Sequence, residues 1–340
     1  MTSRAGSRRG KGARRAGAVT AAAAALAAAV ALAASGCSAG AVQVGATPPA
    51  GPPQPGSVQS ASPAPSQGAS SGTPACHPTA LSPRPTAGDA AGPNVQRIKN
   101  RGYLIVGVAQ DGYLTGYLDS FGQETGFDID IARQVEQALF GTQDGKHIRY
   151  VAVTNQQRID YLQGPDPRVD IVVDTFTITC DRAKKVLFST DYYDGTQRVL
   201  VTKGSGYRSL DDLGGKKVCA QTNSTSLQAV AAYKSHPVPY GVKNLTDCLV
   251  ALQQGQVDAI STDDTILAGL ARQDPNTEVL PQIVEKEPYG IAASTNARDL
   301  IQFVNGVLEQ IRPNTWGTIY RQWLEPALGT AQPPAAAYAG

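Results

Sequence analysis

The sequence predicts an α/β fold in two lobes, each an open sheet flanked by helices, and three observations carry that expectation. From about Asn94 to Leu328, strand-like and helix-like segments alternate, the pattern of open sheets with right-handed crossovers. Two stretches repeat: Leu162-Gln163-Gly164 leads to Val169-Asp170-Ile171-Val172-Val173, and Leu252-Gln253-Gln254-Gly255 leads to Val257-Asp258-Ala259-Ile260-Ser261. Two such units leave a cleft between them, and hinged closure on a ligand is one use of a cleft. Finally, ligands of open α/β sheets sit beyond the C-terminal strand ends. There, after the apolar Ile171-Val172-Val173, stand Thr175, Thr177 and Thr179, followed by Arg182.

Taken in order, residues 103–109 (YLIVGVA) read as a strand, and 126–140 (GFDIDIARQVEQALF) as a helix with Ile129, Ala132, Val135, Glu136 and Leu139 at helical spacing. Residues 148–153 (IRYVAV) read as a strand and 155–163 (NQQRIDYLQ) as a helical turn or more. VDIVV is a short strand, apolar enough for burial on both faces. Strands are expected at 198–203 and 217–221, and helices from Thr225 to about Lys234 and over NLTDCLVALQQGQ. VDAISTD is then a strand, DTILAGLARQ a helix, YGIAAS a strand, and the segment from Ala297 to Leu324 two consecutive helices. The expected organisation places lobe one at 94–197 and 292–328, and lobe two at 198–291. The chain would cross between them near 197–203 and 287–293.

The first ninety-odd residues differ in kind. Residues 1–15 hold Arg4, Arg8, Arg9, Lys11, Arg14 and Arg15 and no acid, and an Ala-rich apolar run follows to Ser35-Gly36-Cys37. A basic head, an apolar middle and small residues make a secretory signal over 1–36. Its end resembles a bacterial lipobox, with Ala34 where that pattern has Leu; the resemblance implies lipidation of Cys37 and anchoring to the outer face of the cytoplasmic membrane. A plain signal peptide or an uncleaved anchor is the alternative. Without the leader's six basic residues, 24 Lys and Arg stand against 28 Asp and Glu, a net −4 that gives no reason to expect nucleic acid. Residues 37–93 are rich in Pro, Gly, Ser and Ala, lack apolar periodicity and read as a tether; 329–340 reads as an equally loose tail.

Four cysteines remain after Cys37, and an even number in an exported chain suggests two disulfides with three pairings open. Cys219 and Cys248 fall in one expected lobe and are paired, leaving Cys76 to staple the end of the tether to Cys180. Metal binding is a poor alternative, because no CxxC spacing occurs and His77, His147 and His236 are scattered.

The body resembles the family 3 solute-binding proteins of polar amino-acid ABC importers. The stretches that carry the resemblance are 126–132 (GFDIDIA), 169–201 (VDIVVDTFTITCDRAKKVLFSTDYYDGTQRVLV), 209–226 (SLDDLGGKKVCAQTNSTS), 257–269 (VDAISTDDTILAG), and PYGIA followed by WGTIYRQWL. They run in family order over roughly 230 residues. Actinobacterial glutamate-binding lipoproteins share TITCDR, DCLVALQQ and DDTILAGL. The resemblance implies the type II periplasmic-binding-protein fold with a two-stranded hinge, an L-amino acid as ligand, no cofactor, no metal and a monomeric binding unit. An amino acid leaving water needs both its charges paired. In the family, the positions of Thr175 and Thr177 take the ammonium, that of Arg182 grips the α-carboxylate as a planar fork, and that of Thr225, with Gln221 nearby, faces the same carboxylate at a helix start. The position of Asp263 binds the ammonium.

For the side chain, relatives that bind glutamate or aspartate read TSQNRIP where this chain reads TNQQRID, and their serine and arginine hold the distal carboxylate. Asn155 and Arg158 match those two, which points to an acidic ligand; glutamine binders carry an aromatic at the position of Asn155. The alternative for Arg158 is a surface pair with Asp160 or Asp166, and for Arg182 a solvated pair with Asp181 or Asp191. The loop 109–119 (AQDGYLTGYLD) follows neither subfamily, and its Asp111, with Tyr113 and Tyr117, could shift preference toward asparagine or glutamine. Leu245 replaces a polar contact found in some glutamate binders. An enzyme using Asp263 and Asp264 as a carboxylate pair lacks any nucleophile–base pair or phosphate loop. The other functional class is a sensor that reports occupancy to a membrane receptor instead of an ABC permease, since both uses share one pocket.

Overall fold

The computed structural model describes residues 76–339. The leader, Cys37 and the tether up to residue 75 lie outside the described residues.

Lobe one begins with α1 (Pro93–Arg101) and β1 (Leu104–Val108). A small antiparallel sheet follows, of β2 (Asp111–Gly112), β3 (Gly116–Leu118) and β4 (Glu124–Thr125), and then α2 (Phe127–Phe140). The lobe continues with β5 (Ile148–Ala152), α3 (Gln157–Asp160), β6 (Ile171–Val172), α4 (Cys180–Ala183) and β7 (Leu187–Phe188). Lobe two contains β8 (Tyr193–Thr202), β9 (Lys217–Gln221), α5 (Thr225–Ala232), β10 (Val238–Val242) and α6 (Leu245–Gln253). It is completed by β11 (Ala259–Asp263), α7 (Asp264–Gln273), β12 (Thr277–Val279) and β13 (Glu285–Tyr289). The chain then re-enters lobe one as β14 (Ala292–Ala293), α8 (Arg298–Ile311), α9 (Thr315–Trp323) and α10 (Glu325–Leu328).

The lobe-one sheet runs β5-β1-β6-β14-β7, parallel except at β14. The lobe-two sheet runs β10-β9-β11-β8-β12, with β13 also on β8. Helices cover both faces of each, so the strands are buried as their apolar composition requires. The repeated Val-Asp pair has one physical role in both lobes. The Ile105 N–H donates to the Asp170 carboxylate at 2.8 Å, and the Asp170 N–H returns a bond to the Ile105 carbonyl at 2.9 Å. In lobe two, Lys217 and Asp258 repeat both bonds at 2.9 and 2.8 Å. Each aspartate thus locks the strand it opens onto the neighbouring strand, at the sheet end opposite the cleft.

The first crossing between lobes, expected near 197–203, falls instead at 189–193, because β8 belongs to lobe two from its first residue. The crossings are paired: the Tyr192 N–H donates to the Tyr289 carbonyl and the Ser189 N–H to the Ile291 carbonyl, both at 2.8 Å. The hairpin at 111–125, with β10 and β12, was absent from the sequence reading.

Both segments read as loose are held on lobe one from residue 76 onward. Asn305 of α8 donates to Ser82 Oγ and the Pro83 carbonyl, and Gln302 to the Arg84 carbonyl. In the tail, Arg312 donates to the Pro334 carbonyl, Ala337 to Thr190 Oγ1, and Ala339 to the Ser82 carbonyl. Composition suggested tethers, but side chains of α8 and its C-cap, Asn305, Gln302 and Arg312, supply donors for their backbone carbonyls. Cys76 is joined to Cys180 and Cys219 to Cys248. The second bridge ties β9 to α6 across a sequence separation of 29. Replacing Cys219 and Cys248 by serine is expected to lower stability by about 3.6 kcal/mol, from the closed-loop entropy, measured by urea unfolding of the otherwise oxidised protein.

Candidate functional site

The C-terminal ends of β1, β6, β9 and β11 meet at the cleft, and side chains from both lobes converge there. Val173 ends the apolar run, and Asp174, Thr175 and Phe176 follow it into the cleft. Thr175 adopts a φ of +42°, a left-handed conformation that a β-branched residue rarely takes. It is held there by Asp128, whose carboxylate accepts the Thr175 N–H at 2.7 Å and the Tyr192 hydroxyl at 2.8 Å. Asp128 sits in the first turn of α2, directly after Gly126. That glycine has φ +132°, and a Cβ there would lie 2.3 Å from the Thr115 carbonyl oxygen, so only glycine lets α2 start at this place. Burial, partly offset by Tyr192, Thr175 and Arg158, pushes the Asp128 carboxyl up to about 7.

Arg182 stands on α4. Thr179 caps this short helix by accepting the Arg182 N–H at 3.2 Å, so the alternating threonines divide into two facing the cleft and one that builds the turn. The Arg182 guanidinium donates to the Thr177 carbonyl at 2.7 Å. Burial and the neighbouring Arg158 lower it to about 9. Arg158, on α3, is 4% exposed and donates to the Asp174 carbonyl at 2.9 Å. Its Nε lies 3.7 Å from Asp174 Oδ2 and has no hydrogen-bond partner. Both guanidiniums approach the Phe176 ring, at 4.4 Å for Arg158 and 5.0 Å for Arg182. The surface-pair alternatives for the two arginines therefore fail: Arg158 is buried and faces Asp174, and Arg182, half-buried, bonds the Thr177 carbonyl instead of Asp181 or Asp191.

From lobe two, Ser224 caps α5 by accepting the Leu227 N–H at 2.9 Å, which leaves Thr225 as the first helical residue facing the cleft. Thr225 Oγ1 donates to Glu287 at 2.9 Å. Glu287, on β13, is 1% exposed; burial raises its carboxyl, while Thr177, Thr225 and Arg182 draw it down. Asp263, at the end of β11, accepts from Ser226 at 3.4 Å, and burial with the nearby Glu287 raises it well above the ordinary carboxylate range. Asp264, the next residue, points elsewhere and accepts from Thr196 and Tyr193, so the two do not act as a carboxylate pair.

Two sets of bonds cross the cleft. Asn155 Nδ2 donates to Gln221 Oε1 and to the Thr222 carbonyl, each at 3.2 Å. Asp111 accepts the Leu245 N–H at 2.9 Å. Asn244, the residue that should cap α6, makes no capping bond, so Asp111 caps that helix from the opposite lobe. A small cavity remains among these groups, lined by Asp111, Asn155, Asp174, Thr175, Gln221 and Leu245. Tyr113 and Tyr117 pack on each other with ring centroids 5.1 Å apart and are absent from the lining of that cavity.

The sequence reading brought together Thr175, Thr177, Arg182, Arg158, Asn155, Gln221, Thr225, Asp263 and Asp111, and all of them border the cleft. It missed Asp128, Asp174, Phe176 and Glu287. Glu287 was detectable by period two, since it shares the inward face of its strand with Tyr289.

Removing the Asp111 carboxylate (Asp111→Ala) takes away a helix cap that exists only with the lobes together. It is expected to weaken amide ligands, which require no change of charge in the cleft, by about 1 kcal/mol in calorimetric titration; unchanged amide affinity would remove this cap from closure.

Residues 104–326 match the bacterial extracellular solute-binding proteins, family 3. The ABC transporter glutamine-binding protein GlnH of Bacillus subtilis is 36% identical over 231 residues, covering 67% of this chain and 83% of that protein. The glutamine-binding protein of Geobacillus stearothermophilus is 38% identical over 213 residues, covering 62% and 80%. The glutamate/glutamine/aspartate/asparagine-binding protein BztA of Rhodobacter capsulatus is 32% identical over 216 residues, covering 60% and 62%. Among solved structures, an ancestral arginine-binding protein bound to glutamine superposes with a TM-score of 0.61 at 31% identity, covering 68% of this chain and 99% of the other. With its two main sheets, paired crossings and inter-lobe cleft, this chain belongs to the family 3 bacterial extracellular solute-binding proteins.

Proposed function

We propose that the protein captures an acidic amino acid, glutamate or aspartate, outside the cytoplasmic membrane and delivers it to an ABC importer, held to the membrane by a lipid on Cys37. The observation that carries the ligand class is the pair of guanidiniums, Arg158 buried and Arg182 half-buried, beside one phenylalanine ring. A dicarboxylic amino acid brings two carboxylates, and a planar fork matches each of them. In this reading Arg182 takes the α-carboxylate, Thr175, Thr177 and Asp263 take the ammonium, and Asn155 with Arg158 takes the distal carboxylate. Thr225 and Gln221 close the pocket from lobe two.

An amide ligand is the second reading, favoured by the two aspartates, Asp111 and Asp174, that line the cavity. Two relatives are named for glutamine and one for all four of these amino acids, which accords with either reading.

Arg182→Ala is expected to weaken every amino acid by about 2–5 kcal/mol, the range for removing one partner of a buried charge pair. Near-unchanged affinity in calorimetry would refute the clamp. Arg158→Ala is expected to weaken glutamate and aspartate about tenfold or more beyond any loss for glutamine, in line with the range for hydrogen bonds to charged groups; equal losses would move the distal site elsewhere. Replacing Cys37 by serine should release the protein from membranes in fractionated cells, and deletion of the protein should abolish uptake of its ligand.

A further inference from the structure

Among the acids of the cleft, Asp174 has a position that no role in the clamp explains. It lines the cavity together with Asn155 and Thr175, and its carboxylate stands 3.7 Å from Arg158 Nε, the nitrogen that lacks a hydrogen-bond partner. The group proposed to receive a distal carboxylate is therefore already faced by a carboxylate of the protein. Two anions and one guanidinium cannot be held together out of water without loss of a charge. We propose that Asp174 determines how the cleft treats acidic and amide side chains: an acid displaces it from Arg158 and Asp174 takes up a proton from solvent, whereas an amide leaves the Arg158–Asp174 pair charged. This inference rests on the acidic-ligand reading given above.

The surroundings of Asp174 favour this response. Arg158 on α3 draws its carboxyl down, as does the Ala109 N–H beyond β1; Asp128 on α2 and Asp111 on β2 push it up. Arg182 and the Tyr192 hydroxyl also feel its charge. Burial outweighs the favourable partners, and the carboxyl stands at about 7 without ligand. A second carboxylate beside it raises it further, so the proton is taken up on binding above that pH and is already present below it. The sign follows: acid affinity falls as pH rises through and beyond 7, while amide affinity, which needs no proton at Asp174, stays level above that pH.

Calorimetric titration of the disulfide-intact protein in two buffers of different ionisation enthalpy, at about pH 8, reads the proton directly. Glutamate and aspartate are expected to take up about one proton per molecule bound, glutamine and asparagine about none, and acid affinity to fall by about tenfold per pH unit above neutrality. In Asp174→Asn, which keeps an acceptor for the Ala109 N–H, the acids are expected to bind without uptake and with a level pH profile. Acids that bind the unaltered protein without uptake, or uptake that persists in the asparagine variant, overturn the assignment to Asp174 and leave the acidic-ligand reading standing. Amides that bind while both acids fail at acidic and alkaline pH overturn the ligand reading, and this inference with it.

Discussion

A guanidinium taken out of water must be answered by negative charge within reach, and Arg158 sets that condition for the whole cleft. It is 4% exposed, and its charge acts on Asp128, Asp174, Arg182 and Asp263. Those groups come from α2, from the end of β6, from α4 and from β11, so one side chain ties together elements of both lobes. The arrangement is not a solved ion pair. Arg158 Nε has no acceptor, and the carboxyls around it are pushed up by burial more than the arginine draws them down. A buried pair with unmet hydrogen bonds stabilises a fold poorly. Its retention makes sense where a ligand completes it.

The backbone at Thr175 follows the same logic. A β-branched residue at φ +42° carries strain of about 1–3 kcal/mol, which persists only where the surroundings over-determine it. Here they do: Asp128 accepts the Thr175 N–H and the Tyr192 hydroxyl, and Trp316 Nε1 donates to the Tyr192 carbonyl at 2.7 Å. The chain of bonds runs from the cleft floor to α9, an element formed only after the chain has returned from lobe two. The last helices of the chain therefore underpin a site whose residues lie far earlier in sequence.

What could be read from the sequence, and what could not, divides along physical lines. The repeated Val-Asp pairs were legible because an aspartate just before a strand can make the same two bonds to its neighbour's backbone in either lobe, and Asp170 and Asp258 do so. Arg182 was legible because a guanidinium beyond a buried strand end has few structural uses. Asp174 was not, since its burial depends on what the rest of the cleft places around it, and Glu287 left only the period-two trace it shares with Tyr289. The hairpin at 111–125 was missed because strands of two or three residues leave no periodicity to detect. Residues 76–93 and the tail are held for a related reason that composition does not report: it tells what a stretch can bury, and Asn305, Gln302 and Arg312 hold these described stretches by their carbonyls.

The bonds that cross the cleft bring closure and recognition onto the same residues. Asp111 caps α6 across the gap, and Asn155 reaches Gln221 and Thr222. Bonds of this kind contribute about 0.5–1.5 kcal/mol each, and the charged one about twice that. Set against the ordering of the hinge and the dehydration of several carboxylates, they do not hold the lobes shut strongly. A ligand shifts such an equilibrium only by what it gains in the closed form beyond the open one. In the proposed reading, a zwitterion that spans Arg182 on one lobe and Asp263 on the other gains both charge-assisted contacts in the closed form alone. On that reading, weak closure without ligand and firm closure with it follow from one feature: Arg158 Nε, deep in the cleft, has no acceptor of its own.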